Sequence, residues 1–344
     1  MKSNDKTTVP PKTLRKRFVK KVNKISVDQI AEELLNHSRT ELARAITLIE
    51  SIRKEDREEA TNLLDKVLPH TGNSIRIGVS GVPGAGKSTF IEQFGWMLCE
   101  LGYRVAVLAI DPSSTKTGGS ILGDKTRMEK LSSHPNAFIR PSPSSGTLGG
   151  VHEMTRETMI LCEAAGYEVI LIETVGVGQS EVAVRNMTDF FMLLVLTGAG
   201  DDLQGMKKGI MEMVDAFIVH KADGDNLRVA KRTIREYKRI VHFLDQATPG
   251  WDSVVLPVSS LENTGHEDVW KQVENFKKEM KKSGYWDKRR QEQNLHWFHD
   301  RLRQRLIDDF LREKSNKNKI NALEGRIQEG DLSIAKAMEQ LFDS

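Results

Sequence analysis

Only two cysteines, Cys99 and Cys162, occur in the 344 residues. They lie far apart, so neither a disulfide framework nor a cysteine-based metal site is expected, which fits a reducing cytoplasm. Long apolar runs are missing as well. None approaches the roughly 18 residues of a membrane span, and the first residues lack the apolar core of a secretion signal. No strong charge of one sign is present: 51 Lys and Arg against 48 Asp and Glu leave a formal +3. So balanced a chain is not expected to bind nucleic acid as a whole. Its nine histidines are scattered, which argues against a metal-inserting protein built on a His/Cys cluster. With 38% apolar and 29% charged residues, the composition is that of a globular protein with a polar surface.

The charge that is present is uneven. Residues 1–24 hold nine Lys and Arg against one acid, Asp5, and residues 1–25 read as a solvated basic tail. Ser26-Val27-Asp28-Gln29 then forms a capping-box pattern. It opens a helical N-terminal segment over 26–70, with a break near Asn36–Thr40 and a second helix over Lys54–Val67. His70–Ser74 links this segment to a region of alternating strands and helices.

That region covers residues 71–262. Ile75–Ser80, Arg104–Ile110, Ala137–Arg140, Val169–Ile172, Phe190–Leu196, Ala216–His220 and Val254–Pro257 are short apolar runs. Runs of this kind belong to a mostly parallel sheet covered on both faces, whose ligands bind at the carboxyl ends of the strands. Beyond 262 the pattern turns helical to residue 344, with helices expected at Asp268–Ser283, Lys288–Lys314 and Ser333–Phe342. The middle one carries Leu295, Trp297, Phe298, Leu302, Leu306, Phe310 and Leu311 among many charges. These apolar residues either pack on the core or form a dimer interface.

Gly81-Val82-Pro83-Gly84-Ala85-Gly86-Lys87-Ser88-Thr89 fits the phosphate-loop pattern G-x-x-x-x-G-K-[ST], between a strand and a helix expected over Thr89–Leu101. Its glycines let backbone N–H groups approach phosphates, and the helix N-terminus adds a favourable dipole. Lys87 would reach the β- and γ-phosphates, and Ser88 would hold Mg²⁺. Three acids lie in places suited to the same chemistry. Asp111 ends the second strand, where it can reach Mg²⁺ or an attacking water. Asp124 lies in the Ser/Thr/Gly-rich stretch 113–126, a segment that a γ-phosphate and Mg²⁺ could reorder. Glu173 ends the fourth strand, with Gly176 three residues on to sense the γ-phosphate through its N–H. His220-Lys221-Ala222-Asp223 ends the sixth strand and resembles the guanine-reading N-K-x-D signature. Asp223 would accept from N1–H and the 2-amino group of guanine, which adenine lacks. His220 stands where Asn is usual, and one imidazole cannot reproduce an amide's donor and acceptor together. Val258-Ser259-Ser260 fits the backbone loop that closes over the base.

Together these residues resemble the methylmalonyl-CoA mutase-associated GTPases (the MeaB/ArgK group), from about residue 26 into the C-terminal helices. The most specific pieces are GVPGAGKST, the AIDPSS strand end, GDKTRM at 123–128, ETVGVGQSE at 173–181 and GAGDDLQGMKKGI at 198–210. The resemblance implies a P-loop GTPase of the signal-recognition-particle class, with helical extensions at both ends and a homodimer made through the C-terminal arm. It implies GTP/GDP and Mg²⁺ as ligands, with Lys87, Asp111, Asp124 and Glu173 as catalytic groups and Ser88, Asp111, Asp124 and Glu173 around the metal. It also implies a mobile partner switch over 198–209 that includes Asp201, Asp202, Gln204 and Lys207. The implied function is that of a chaperone for an adenosylcobalamin-dependent acyl-CoA mutase, gating cofactor loading and protecting or reactivating the enzyme. No arginine finger in cis is evident, so slow intrinsic turnover stimulated by the partner is expected. A kinase of transport binding proteins, and a chaperone of another cobalamin mutase such as isobutyryl-CoA mutase, stand as alternatives.

Overall fold

A computed structural model describes residues 25–51, 53–111, 128–143, 151–174, 180–198 and 208–342. Three helices come first: α1 (Val27–Leu35), α2 (Arg39–Ile49) and α3 (Lys54–Val67). The Ser26 hydroxyl accepts from the Gln29 N–H, and the Gln29 side chain accepts from the Ser26 N–H. The capping box therefore forms as its sequence pattern predicts. Strands and helices then alternate through β1 (Ile75–Gly81), α4 (Lys87–Glu100), β2 (Val105–Asp111), α5 (Glu129–Ser133), β3 (Ala137–Pro143), α6 (Val151–Ala164) and β4 (Val169–Thr174). The series continues with α7 (Ser180–Arg185), β5 (Phe190–Val195), α8 (Lys208–Met211), β6 (Ala216–His220), α9 (Leu227–Val241) and β7 (Val254–Val258). Four helices close the described chain: α10 (His266–Lys282), α11 (Tyr285–Arg312), α12 (Lys314–Gln328) and α13 (Ile334–Phe342).

The seven strands form one sheet in the order β3-β2-β4-β1-β5-β6-β7, and every pairing is parallel. Parallel neighbours need crossover helices, and the crossovers cover both faces. Side-chain alternation divides the core accordingly. Ala106, Leu108, Ile170, Ile172, Phe191 and Leu193 point to the face shared with α1, α2, α3, α6 and α9. Val105, Val107, Leu171, Phe190, Met192 and Ile218 point to the other face, against Phe90 and Phe94 of α4 and Val273 and Phe276 of α10. Strands β4, β5 and β6 are buried at every position, which explains why they read as unbroken apolar runs. The chain leaves β1 for β2 on one side of the sheet, whereas β5 pairs on the other. The carboxyl end of β1 is thus the point where strand order reverses and where such sheets bind ligands.

Two differences from the sequence-based expectation concern the C-terminal helices. The one expected over 288–314 runs from Tyr285 to Arg312, and a separate helix, α12, comes directly after it. Glu313 is extended (φ −68°, ψ 123°) and separates the two. Helix α12 buries none of its residues, so it lacks the apolar periodicity that would have announced it. In addition, Leu295, Phe298, Leu302, Leu306, Ile307 and Leu311 of α11 are exposed, Leu306 by 62%. These exposed side chains of α11 therefore do not pack on the core, whereas Trp286 is buried in it and Trp297 lies beneath Arg156.

Candidate nucleotide site

The phosphate loop leaves β1 through Gly81, where backbone geometry admits no side chain. Its φ is +152°, and a Cβ there would lie 2.5 Å from the Leu194 carbonyl oxygen of β5. At the other end Gly86 is left-handed (φ +85°) and caps α4. Helix α4 therefore starts at Lys87, two residues earlier than the sequence periodicity suggests. Lys87 and Ser88 sit in its first turn, where backbone N–H groups lack intrahelical partners and suit an anion.

Lys87 is buried and its Nζ donates to the carbonyls of Gly81 (2.8 Å) and Val82 (3.3 Å). The ammonium thus lies across the concave side of the loop. Burial lowers its pKa, and the negative charges of Glu173 and Glu181 oppose that shift. Ser88 Oγ donates to Glu173 Oε1 at 2.9 Å. Glu173 is 9% exposed at the penultimate position of β4. The next residue, Thr174, donates to Ser80 Oγ at 2.9 Å in a buried contact that ties the ends of β4 and β1 together. The β2–β4 register places Ala109 opposite Glu173 and Ile110 opposite Thr174. Asp111, the last residue of β2, thus has its backbone at the same edge. Asp124, Gly176, Asp201, Asp202, Gln204 and Lys207 lie outside the described residues.

The base-side signature is built from β6 and β7. His220 pairs in register with Val258, and the Ala222 N–H donates to the Val258 carbonyl at 3.1 Å. Lys221 is left-handed (φ 58°), and its Nζ donates to the Gly84 carbonyl at 3.0 Å. Its stem therefore crosses back over the phosphate loop. Asp223 accepts from Ser259 Oγ, which in turn accepts from the Glu262 N–H. His220 is 2% exposed. Its Nδ1 lies 2.7 Å from the Ala85 carbonyl and its Nε2 lies 2.8 Å from Ser260 Oγ. The described structure brings Gly81–Ser88, Glu173, His220–Asp223 and Val258–Ser260 to one edge of the sheet. Thr89 continues the first turn of α4.

Sequence reasoning passed over His266. This first residue of α10 reaches Ser260 Oγ with Nε2 at 3.3 Å and stacks on Phe90 (centroids 5.6 Å apart). The only hint was its place after Gly265 at a helix start. Also unmarked was a buried node beneath the sheet. Arg185 at the end of α7 pairs with Asp215 at 2.6 Å, and Thr248 donates to Asp215 at 2.6 Å. Arg185 and Arg289 of α11 both donate to the Thr248 hydroxyl, at 2.7 and 2.9 Å.

A loop that cradles phosphates, a hydroxyl joined to a strand-end acid and a carboxylate poised at the end of β6 can bind a nucleoside triphosphate and organise its hydrolysis. Comparison with known proteins agrees. The family model described as methylmalonyl-CoA mutase-associated GTPase MeaB matches residues 42–315. A probable GTPase of Mycobacterium tuberculosis is 48% identical over 318 residues, covering 92% of this chain and 95% of the relative. The GTPase ArgK of Escherichia coli is 45% identical over 290 residues (84% and 88%). The mitochondrial methylmalonic aciduria type A homolog of Mus musculus is 44% identical over 326 residues (92% and 79%). Among solved structures, one titled as a LAO/AO transport system kinase superposes with a TM-score of 0.75 at 34% identity, covering 94% of this chain and 98% of that one.

Proposed function

The chain belongs to the family of methylmalonyl-CoA mutase-associated GTPases, and from that premise we propose that this GTPase is the chaperone of an adenosylcobalamin-dependent acyl-CoA mutase. Methylmalonyl-CoA mutase is the first candidate. The carrying observation is the family match, which runs from α2 through the nucleotide site to the start of α12. In this reading the nucleotide state gates cofactor loading and protects or reactivates the mutase. The segment with Asp201, Asp202, Gln204 and Lys207 carries the message, and the protein works in the cytoplasm. Among the described residues no helix is long and apolar enough to cross a membrane.

The site supports a mechanism of positioning and charge neutralisation. The loop over 81–89 holds the phosphates through backbone N–H groups, and Lys87 draws negative charge from the γ-phosphate. Asp223 reads the guanine edge, and Ser259 keeps its carboxylate in place. Mg²⁺ fits the donor set, because Ser88 and Glu173 present hard oxygen atoms within hydrogen-bond distance of each other. Ser88 and Glu173, joined by Asp111 and Asp124, would hold it. When bound it supplies charge neutralisation on the phosphate oxygens. Asp111 and Glu173 orient the attacking water, and the Gly176 N–H senses the γ-phosphate. A partner that adds transition-state groups in trans raises turnover by ~10³–10⁵ in related systems.

The exposed side chains Leu295, Phe298, Leu302 and Leu306 recur at spacings of three and four along α11, on one helical face. This face supports homodimerisation through the C-terminal arm. The test of function is steady-state GTP hydrolysis by the purified protein, alone and with adenosylcobalamin-dependent methylmalonyl-CoA mutase, with ATP as control. Stimulation of GTP turnover alone is expected. Unchanged turnover with that mutase would redirect the assignment to another acyl-CoA mutase.

A further inference from the structure

The hydrogen bonds around His220 are directional. A carbonyl only accepts, so the proton on this ring sits at Nδ1 and is donated to Ala85. In the neutral ring Nε2 is then the acceptor, and it takes the Ser260 O–H. The Ser260 oxygen in turn accepts from His266 Nε2. The chain of donors therefore runs His266, Ser260, His220, Ala85. Burial lowers the pKa of His220 and takes that of His266 down to about 4, so both rings stay neutral near pH 7 and the direction holds. The Nδ1–Cε1 edge of the His220 ring also lies close against the phosphate loop: a Cβ on Gly86 would come within 2.7 Å of its Cε1 and Nδ1. Phe90 meets the ring edge-on, with centroids 6.1 Å apart.

Both ring nitrogens are thus in use and the ring is buried, so His220 has no polar atom left to offer a base. We propose that His220 is a positioning residue that fastens the base loop at Ser260 to the phosphate loop at Ala85, and that guanine preference rests on Asp223 without it. This deepens the reading above and depends on its guanine-nucleotide site. An amide at this position offers two N–H groups and could share them between the loop and a base. The imidazole gives up that second role and gains the link to Ser260 and His266. Loosening the link lets the phosphate loop and the base loop move independently, which weakens every nucleotide by the same factor whatever its base.

Competition against a ribose-labelled fluorescent GDP, using the full chain and unlabelled GDP, IDP and XDP, tests this. Ser260→Ala removes one link and leaves the imidazole in place. His220→Ala removes both. Each hydrogen bond lost is expected to weaken binding about fivefold. Ser260→Ala should therefore bind GDP and IDP about fivefold more weakly, and His220→Ala about twenty-fivefold, with the GDP-to-IDP ratio of wild type. The double variant should match His220→Ala, because the two substitutions break one chain. Asp223→Asn exchanges an acceptor for a donor, so it should lose the preference for GDP and gain XDP. The proposal is overturned if His220→Ala or Ser260→Ala shifts the GDP-to-IDP ratio as Asp223→Asn does, or if the double variant multiplies the single effects. A wild-type protein that binds GDP no better than IDP or XDP overturns the guanine site itself, and this inference with it.

Discussion

Ser88 and Glu173 share a hydrogen bond of 2.9 Å that spans the first turn of α4 and the carboxyl end of β4. The hydroxyl donates and the carboxylate accepts, which sets both oxygen groups beside the phosphate loop, where a divalent cation and a water must be organised. Glu173→Gln keeps the shape and removes the charge. GTP turnover is expected to fall on the order of 10²-fold, the scale for removing one preorganised electrostatic group, while GDP affinity changes little. A Mg²⁺ titration of the rate should shift to higher concentration. An unchanged Mg²⁺ dependence would remove Glu173 from the metal site.

Lys87 makes a separate case. Its ammonium is buried against the Gly81 and Val82 carbonyls, where the γ-phosphate of a bound triphosphate would compete for it. Lys87→Ala deletes a cation used more in the transition state than in the ground state. The expected outcome is a loss in kcat of at least about 10²-fold with a smaller loss in GTP affinity. Wild-type hydrolysis by this variant would refute the phosphate-loop mechanism.

Asp215 illustrates a contact that no sequence pattern displays. Its carboxylate is fully buried and holds Arg185 and Thr248, and Thr248 in turn receives Arg289. The Thr248 hydroxyl is fully used, with one proton donated and two accepted. Asp215→Ala leaves Arg185 buried without its counter-charge. Loss of one partner from such a pair costs about 3–5 kcal/mol, to be read from the urea midpoint. A change below about 1 kcal/mol would show that Thr248 and the Ala247 carbonyl, which also accepts from Arg185 at 2.9 Å, are enough to hold the node.

That node also marks how far the sequence alone can be read. The strands β4, β5 and β6 were legible because each is buried at every position and apolar almost throughout. The phosphate loop was legible because its chemistry fixes residue types at fixed spacing. Glu173, His220 and Asp223 were found because each lies at the end of such a strand. Arg185, Asp215, Thr248 and Arg289 come from four distant stretches, and none is unusual alone. Only the packing of α7 and α11 beneath the sheet brings them together. The surface helix α12 was missed because it buries nothing, and without burial no periodicity is imposed on its sequence.

The apolar face of α11 gives a prediction about assembly. Leu302 and Leu306 are 43% and 62% exposed, on a helix whose other faces are charged. A second copy would remove these side chains from water, each contributing roughly 1.5–3 kcal/mol when fully buried. Leu302→Glu with Leu306→Glu should convert a dimer to a monomer in sedimentation velocity and leave basal GTP turnover intact. A wild-type protein that sediments as a monomer at micromolar concentration would dismiss the dimer.

His266 links the base side of the site to pH. It is 2% exposed, and burial, with His220 beside it, takes its pKa from an ordinary 6.5 down to about 4. Between those values the unfolded chain binds more protons than the folded one, so stability rises with pH across that window. The contribution is complete above about pH 6.5 and is lost progressively as the pH falls towards 4. By pH 5 the loss is on the order of 2 kcal/mol by linkage. His266→Gln retains a donor for Ser260 and removes the titration. Its urea midpoint should fall less than that of wild type between pH 7 and pH 5, although it starts lower at pH 7 because the stacking on Phe90 is weakened. Parallel pH profiles for the two proteins would mean that His266 takes up its proton in the folded state without resistance. The donor chain from His266 to Ala85 would keep its direction even then, since a protonated ring still donates to Ser260, and the acid sensitivity of the base side would have to come from His220.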